Sequence, residues 1–236
     1  RARKLNLYHA VLAGVATGFH SHRRLTSYAK IPGPSLAPIL DTLVEAELVE
    51  RIQDPIRDNR PSYHPADPLI RFHYAIIRRH RARLSRHGAN TGQIWQHILP
   101  SFDAQVVGPC FEGIARYWTT HFADPATLGG TPDHVGPTRL TMVDGTEREI
   151  DVVVAADDAD VPSERTILAL GEAKAGQPLT MHHLARLEAM RSALGKRAAG
   201  AKLLFFGTDF ATDVVRQTER RSDIELIDLD RLYGGE

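Results

Sequence analysis

Apolar residues recur at helical spacing from the start of the chain. Leu5, Tyr8, Val11, Leu12 and Val15 form one stripe over residues 5–17, which predicts a helix. Gly18 is placed to stop it. Ser21 can cap a second, short helix whose inner face is Leu25, Tyr28 and Ala29. Ile31-Pro-Gly-Pro34 is a turn signal. Ser35 then opens a third helix with Leu36, Ile39, Leu40, Leu43 and Val44 on one stripe. Pro38 falls near its first turn, where a missing N–H is tolerated. The period then changes from 3.6 to two. Leu48-Val-Glu-Arg-Ile52 alternates like a strand, Gln53 to Arg60 is a polar loop, and Ser62-Tyr-His64 returns as a second strand. Asp67 can cap, and Pro68 can begin, a further helix running to about Arg86, followed by a loop from His87 to Gly92.

The second half reads differently. Val106, Cys110, Phe111, Ile114, Tyr117 and Trp118 give one apolar side to a helix from about Ser101 to His121, with Glu112 among them. A Gly/Pro-rich stretch covers 125–137. Strand-like segments follow at 138–143, 147–155 and 166–173. A helix at 180–195 (Leu184, Leu187, Met190, Leu194), a strand at 202–206, a helix at 209–221 and a last strand at 224–229 complete the order α-β-β-β-α-β-α-β. The fold class is therefore α/β, or α+β taken over the whole chain. Three helices and a hairpin predict an N-terminal winged helix-turn-helix over 1–66. A connecting helix and linker fill 67–98, and an αβββαβ unit occupies 99–236.

Composition changes the picture only through charge. The 236 residues balance to zero net charge, yet residues 1–100 hold 15 Lys/Arg against 7 Asp/Glu, and the remainder holds 14 against 22. A basic half is the electrostatic footprint expected of a nucleic-acid partner, although two oppositely charged halves can also simply attract each other. Within the first unit the third helix carries Asp41, Glu45 and Glu47, which would repel phosphate. The basic residues that could contact DNA are Arg23, Arg24, Lys30 and, in the wing, Arg57 and Arg60. The run Arg78-Arg-His-Arg-Ala-Arg83 is either a solvated helix face or a phosphate-facing strip.

No stretch approaches the roughly 18 apolar residues of a membrane span, so no membrane partner is expected. The single Cys110 excludes an internal disulfide framework and a CxxC zinc site. The basic start Arg1-Ala-Arg-Lys4 lacks the pattern of a secretory signal, and the expected compartment is the cytoplasm. The chain starts without Met, inside a helical pattern, as a piece of a longer protein would.

Two strands carry the chemistry. One is Glu147-Arg-Glu149-Ile-Asp151-Val-Val-Val154; the other is Thr166-Ile-Leu-Ala-Leu-Gly-Glu172-Ala-Lys174. An acid in a core strand needs a partner or a metal, because an unpaired buried charge costs several kcal/mol or more. Alternation puts Glu149 and Asp151 on one face, and Glu172 and Lys174 on one face. If the strands are neighbours, Asp151 and Glu172 can reach one divalent cation, and oxygen donors suit Mg²⁺ or Mn²⁺. Lys174 would stand beside a metal-bound water, and Glu112 could be a further ligand. The alternative is a structural ion pair at the strand ends.

Asp151, then Glu172-x-Lys174 about twenty residues on, in an αβββαβ order with Glu112 ahead, resembles the PD-(D/E)xK nuclease superfamily over roughly 101–230. The resemblance implies a restriction-endonuclease-like core. It also implies Asp151, Glu172, Lys174 and Glu112 as catalytic residues, with the three acids as metal ligands. The expected reaction is Mg²⁺-dependent phosphodiester hydrolysis. Adding the winged helix and Tyr63-His-Pro-Ala-Asp-Pro-Leu-Ile-Arg-Phe-His-Tyr74, nearly the whole chain resembles the C-terminal part of a family of archaeal and bacterial AAA-type ATPases. In that family the role of this part is poorly defined. No G-x-x-x-x-G-K-[ST] occurs, so no ATP site of that kind is expected in this chain. The expected partners are DNA, an ATPase domain in cis or in trans, and a second copy of the chain. A non-catalytic DNA-binding or regulatory module of such an ATPase is the alternative function.

Gln-x-x-x-Tyr, a feature of RecB-like nucleases, is missing from the helix after Lys174, where His182, His183 and Arg186 stand instead. Gln177, His182 and His183 are further candidates near the acids. Paired histidines (His20 with His22, His80 with His87) lack supporting metal ligands, and Asp157-Asp-Ala-Asp160 lacks a calcium-loop pattern. No G-x-S-x-G is present, so acyl-transfer chemistry has no support.

Overall fold

The stripes of the first three helices close on one another around one core, and a second, smaller cluster of Ala75, Ile76, Ile98 and Val106 lies in the same unit. The computed structural model describes residues 2–57, 59–86 and 90–234. By contacts the chain forms two compact units, one of residues 1–52 and 60–110, the other of 53–59 and 111–236.

In the first unit, helices α1 (Ala2–Ala16), α2 (His22–Ala29) and α3 (Gly33–Glu45) precede an antiparallel pair, β1 (Val49–Ile52) and β2 (Ser62–Pro65). Val11, Val15, Leu25, Leu36, Leu40 and Leu43 fill the space between them. Gly18, at φ +96°, ends α1 in a conformation that favours glycine. Ser21 caps α2 by accepting from the Arg24 N–H. The third helix starts at Gly33 rather than Ser35. Pro34 is absorbed into its first turn, where it has no helical hydrogen bond to lose. Ser21 also bridges Ser62, and the Tyr63 N–H donates to His20 O at 2.8 Å. The segment between α1 and α2 thus adds a one-residue rung to the hairpin.

The helix opened by Asp67 follows. The Asp67 carboxylate accepts from the Leu69 N–H at 2.7 Å, and Pro68 is the first helical residue. The run comprises α4 (Pro68–Phe72), a π-turn (His73–Ile77) and α5 (Arg78–Leu84). A second run joins α6 (Thr91–Phe102), another π-turn (Asp103–Val107) and α7 (Gly108–His121). The helix expected from Ser101 is therefore the latter part of a run that starts at Thr91. Pro100 lies inside it, just ahead of the π-turn, where its missing N–H has already interrupted the α-helical ladder. The loop expected over 87–92 lies partly outside the described residues.

In the second unit, α7 leads through the short α8 (Pro125–Leu128) into a five-stranded mixed sheet. Its strands are β3 (His134–Thr141), β4 (Glu147–Ala155), β5 (Ile167–Lys174), β6 (Lys202–Gly207) and β7 (Ile224–Ile227), in that spatial order. The first three form an antiparallel meander. Helix α9 (Met181–Ala193) then connects β5 to a parallel β6, and α10 (Thr212–Thr218) connects β6 to a parallel β7. The chain leaves β7 earlier than its apolar pattern suggests, because Asp228 caps α11 (Leu229–Gly234) by accepting from the Arg231 N–H at 2.9 Å.

The sheet has a core on each face, as expected of strands that read as continuous apolar runs. Phe205, Leu170 and Leu203 pack with Leu184, Leu187 and Met190 of α9. Phe206, Leu204 and Val152 pack with Phe111, Ala115 and Trp118 of α7.

The segment 53–59, a polar loop by sequence, belongs to this unit. Ile56 is buried in the α9-side core. Asp54 accepts from the Thr138 hydroxyl at 2.7 Å, and Pro55 O accepts from Arg165. Gly136 lets the segment approach β3, since a Cβ there would lie 2.5 Å from Gln53 O.

Candidate acidic site at the opening of β4 and β5

The ladder between β4 and β5 has its last rung at Val152 and Gly171. Gly171 is closely packed: a Cβ would lie 3.0 Å from Val152 Cβ and 3.1 Å from the Phe206 ring. Beyond this rung the backbones no longer pair with each other. The Asp151 carboxylate instead accepts from the Ala173 N–H at 2.9 Å, taking the place of a backbone acceptor. Meanwhile β5 stays paired to β6 as far as Lys174 and Gly207. Where the two strands part, Asp151 in the middle of β4 therefore stands with Glu172 and Lys174 at the end of β5.

Each helix contributes an arginine that the sequence does not flag as a site residue. From α7, buried Arg116 donates to Asp151 O at 3.0 Å, satisfying a carbonyl that the opened ladder leaves without its rung. From α9, Arg186 donates to Glu172 Oε2 at 2.8 Å and to Glu149 O at 3.3 Å. Arg116 carries its own signal in retrospect, a cation set among the inner positions Ala115 and Trp118 of an amphipathic helix. Arg186 has only its place in the helix that follows the Glu-x-Lys strand.

Glu172 has no solvent exposure, and a buried carboxylate of this kind survives only with charge partners. Besides Arg186 it has the Lys174 ammonium 3.0 Å from Oε1. That approach is close but poorly directed, so Oε1 has an ion pair and no well-aligned hydrogen bond. Asp151 is nearly as buried. Burial, followed by the negative charges of Glu112 and Glu172, raises its carboxyl well above the usual range, against the Ala173 N–H and Lys174. Burial pulls the Lys174 ammonium down, but Glu172 and Asp151 outweigh it and the net shift is upward, so this lysine stays charged.

Glu112, on α7, is thus close enough to bear on Asp151 electrostatically. Among the described residues, no three His, Cys, Asp or Glu side chains are grouped to hold a metal ion. The donor chemistry at Asp151 and Glu172 still suits a hard divalent cation. Both donors are oxygens, like charge raises Asp151, and one buried Glu172 oxygen lacks a directed donor. Mg²⁺ is commonly held by only one or two carboxylates, with water and substrate oxygens completing its shell.

The other candidates sit elsewhere or are engaged. Glu149 pairs across the β3–β4 ladder with Arg139, accepting from Nε and Nη2 at 3.0 and 2.7 Å. His183 Nδ1 accepts from the Thr180 N–H at 3.0 Å at the start of α9, and burial lowers its pKa. His182 and Gln177 are exposed. In the acidic loop, Asp157 pairs with His134 at 3.0 Å and Asp158 accepts from the Thr166 N–H. Arg23, Arg24, Lys30 and Arg60 are exposed on the first unit. Arg57 instead belongs to the second unit, near enough to Arg197 to help lower that guanidinium's pKa behind the larger effect of burial. The rings of His20 and His64 have centroids 4.1 Å apart and are tilted by 37°, and His87 lies outside the described residues. No helix among the described residues is long and apolar enough to cross a membrane.

No family model matches the chain, and neither a curated protein nor a solved structure matches it, so what this site does rests on its own geometry.

Proposed function

We propose that the chain is a DNA-associated, metal-dependent nuclease of the PD-(D/E)xK type. The observation that carries this reading is the convergence of Asp151, Glu172 and Lys174 where β4 and β5 part. Support also comes from the strand order. An antiparallel meander, a crossover helix and a parallel strand, preceded by a helix bearing Glu112, is the arrangement of a restriction-endonuclease-like core. In the first unit, three helices, a hairpin and the Ser21–Ser62 rung support a winged helix-turn-helix, a module that can position the site on DNA.

In this reading Asp151 and Glu172 hold Mg²⁺ or Mn²⁺, and Glu112 adds negative charge that strengthens the attraction. When bound, the cation supplies an acidified water and a counter-charge for the phosphoryl oxygens. Lys174 acts as a fixed ammonium, orienting the attacking water and offsetting charge that develops on the phosphate. Arg186 fixes the Glu172 carboxylate from one side. Arg116 fixes the backbone that carries Asp151. The resemblance to the C-terminal part of an AAA-type ATPase places an ATPase domain, in cis or in trans, among the proposed partners. A second copy of the chain is the other.

One observation favours the rival reading, a non-catalytic DNA-binding or regulatory module: Glu172 already has two cations beside it. Calorimetric titration with Mn²⁺ separates the two. The nuclease reading expects saturable Mn²⁺ uptake that Asp151→Asn weakens about tenfold or more, as removal of a charged ligand should. Absence of uptake by the wild-type protein would leave Asp151, Glu172, Lys174 and Arg186 as a structural ion-pair cluster.

A further inference from the structure

The first unit holds a cleft of about 590 Å³ between α1 and the helical run from Pro68 to Leu84. This is within the roughly 300–1,000 Å³ of small-ligand sites. His9 lines it from α1; His73, Tyr74, Arg78, Arg81 and Ser85 line it from the other side. No Asp or Glu is among the described residues that line it. Arg78 and Arg81 stand three residues apart and so share one helix face.

Several features preorganise the donors. The Arg78 guanidinium lies over the Tyr74 ring at 5.5 Å. Tyr74 Oη and His9 Nδ1 share a hydrogen bond of 2.6 Å. With the hydroxyl donating, the His9 proton resides on Nε2 and makes that nitrogen a donor. Burial raises the Tyr74 pKa against the opposing effect of Arg78, which keeps the phenol neutral and able to donate. The π-turn His73–Ile77 forms part of the wall. Such turns are a rare distortion that recurs where helices carry function.

We propose that this cleft is a phosphate-binding site, separate from the acidic site of the second unit and independent of its proposed activity. Two guanidinium groups surrounded by neutral donors and no carboxylate match the oxygens of a phosphate or phosphate ester. The volume exceeds that of the anion alone. The apolar side chains of Ile77 and Leu84 offer a surface for an organic portion of the ligand. The phosphate can come from a small phosphate ester or from a DNA backbone.

The test is calorimetric titration of the full chain with inorganic pyrophosphate in the presence of EDTA. Binding is expected, with affinity reduced about tenfold or more in the R78A/R81A double variant. Both arginines are exposed, so the melting temperature of the variant should match wild type. Asp151→Asn should bind pyrophosphate like wild type. If the double variant also loses affinity for a short DNA duplex, and pyrophosphate competes with that duplex, the source is backbone phosphate. If duplex affinity is unchanged, the source is a small ester; either result supports the site. Absence of pyrophosphate binding by wild type, or equal affinity in the double variant, overturns it.

Discussion

Glu172 shows how strongly single side chains constrain this molecule. Its carboxylate is wholly inside the protein, and its directed hydrogen bond comes from Arg186. Arg186→Ala removes that bond and leaves Lys174 as the remaining cation at the carboxylate. A charge-assisted hydrogen bond to a buried ion is worth on the order of 2 kcal/mol, so the unfolding free energy of the variant should fall by about that amount and its urea midpoint should drop accordingly. A midpoint equal to wild type would mean that Lys174 alone satisfies Glu172. At this scale the acids and the lysine were legible from sequence, because charged residues at the ends of apolar strands violate the local pattern. The arginines were not. Arg186 is one of many surface-compatible charges on an amphipathic helix, and only its three-dimensional position over the end of β5 reveals its partner.

Among the elements, boundaries followed hydrophobic periodicity most closely where strands are buried on both faces, as in β4, β5 and β6. They failed where backbone chemistry overrode it. Pro34 was absorbed into α3, and Asp228 converted the end of β7 into a helix cap. Periodicity also missed the loop 53–59, since two adjacent buried residues, Pro55 and Ile56, in an otherwise polar stretch produce no repeat.

The edge of the sheet at β7 is tied to α9 by charge. Asp223 accepts from Arg221 and Arg191, and Arg221 also donates to Glu188. The hydrogen bonds from Arg221 and Arg191 hold the Asp223 carboxyl well below its ordinary pKa, and the hydrogen bonds to Asp223 and Glu188 push the Arg221 guanidinium up. The folded pKa of Asp223 is depressed, so its stabilisation is present in full above the unfolded value near 3.8 and is lost as pH falls below it. With the side chain 35% exposed, screening limits the contribution to about 1 kcal/mol. Asp223→Asn should therefore lower the urea midpoint near neutral pH, by a gap that stays constant down to about pH 4 and shrinks progressively as pH falls further. A gap that stays constant with pH would assign the effect to packing rather than charge.

For the whole molecule, the charge division seen in the sequence coincides with the two units. Residues 1–52 and 60–110 hold 14 Lys/Arg against 6 Asp/Glu. If this unit meets DNA through Arg23 and Arg24, the double alanine variant should reduce the slope of log affinity against log salt by about 2, since each phosphate contact contributes about one released counterion. An unchanged slope would move the DNA contact to other residues. The coarse architecture was legible at this scale because each unit has its own periodicity and charge. The assignment of 53–59 to the second unit was not, since contacts distant in sequence leave no local pattern.

The proposed phosphodiester hydrolysis belongs to the opening between β4 and β5. Its most direct measurement is the conversion of supercoiled plasmid to nicked circles by the full chain in Mg²⁺ or Mn²⁺, with EDTA as control. Nicking by the wild-type protein is predicted. It should fall at least about 100-fold in Lys174→Ala, a variant whose circular dichroism and melting temperature should show that it is folded. Equal nicking by wild type and Lys174→Ala, or no metal-dependent nicking by the wild type, would rule out hydrolysis at this site.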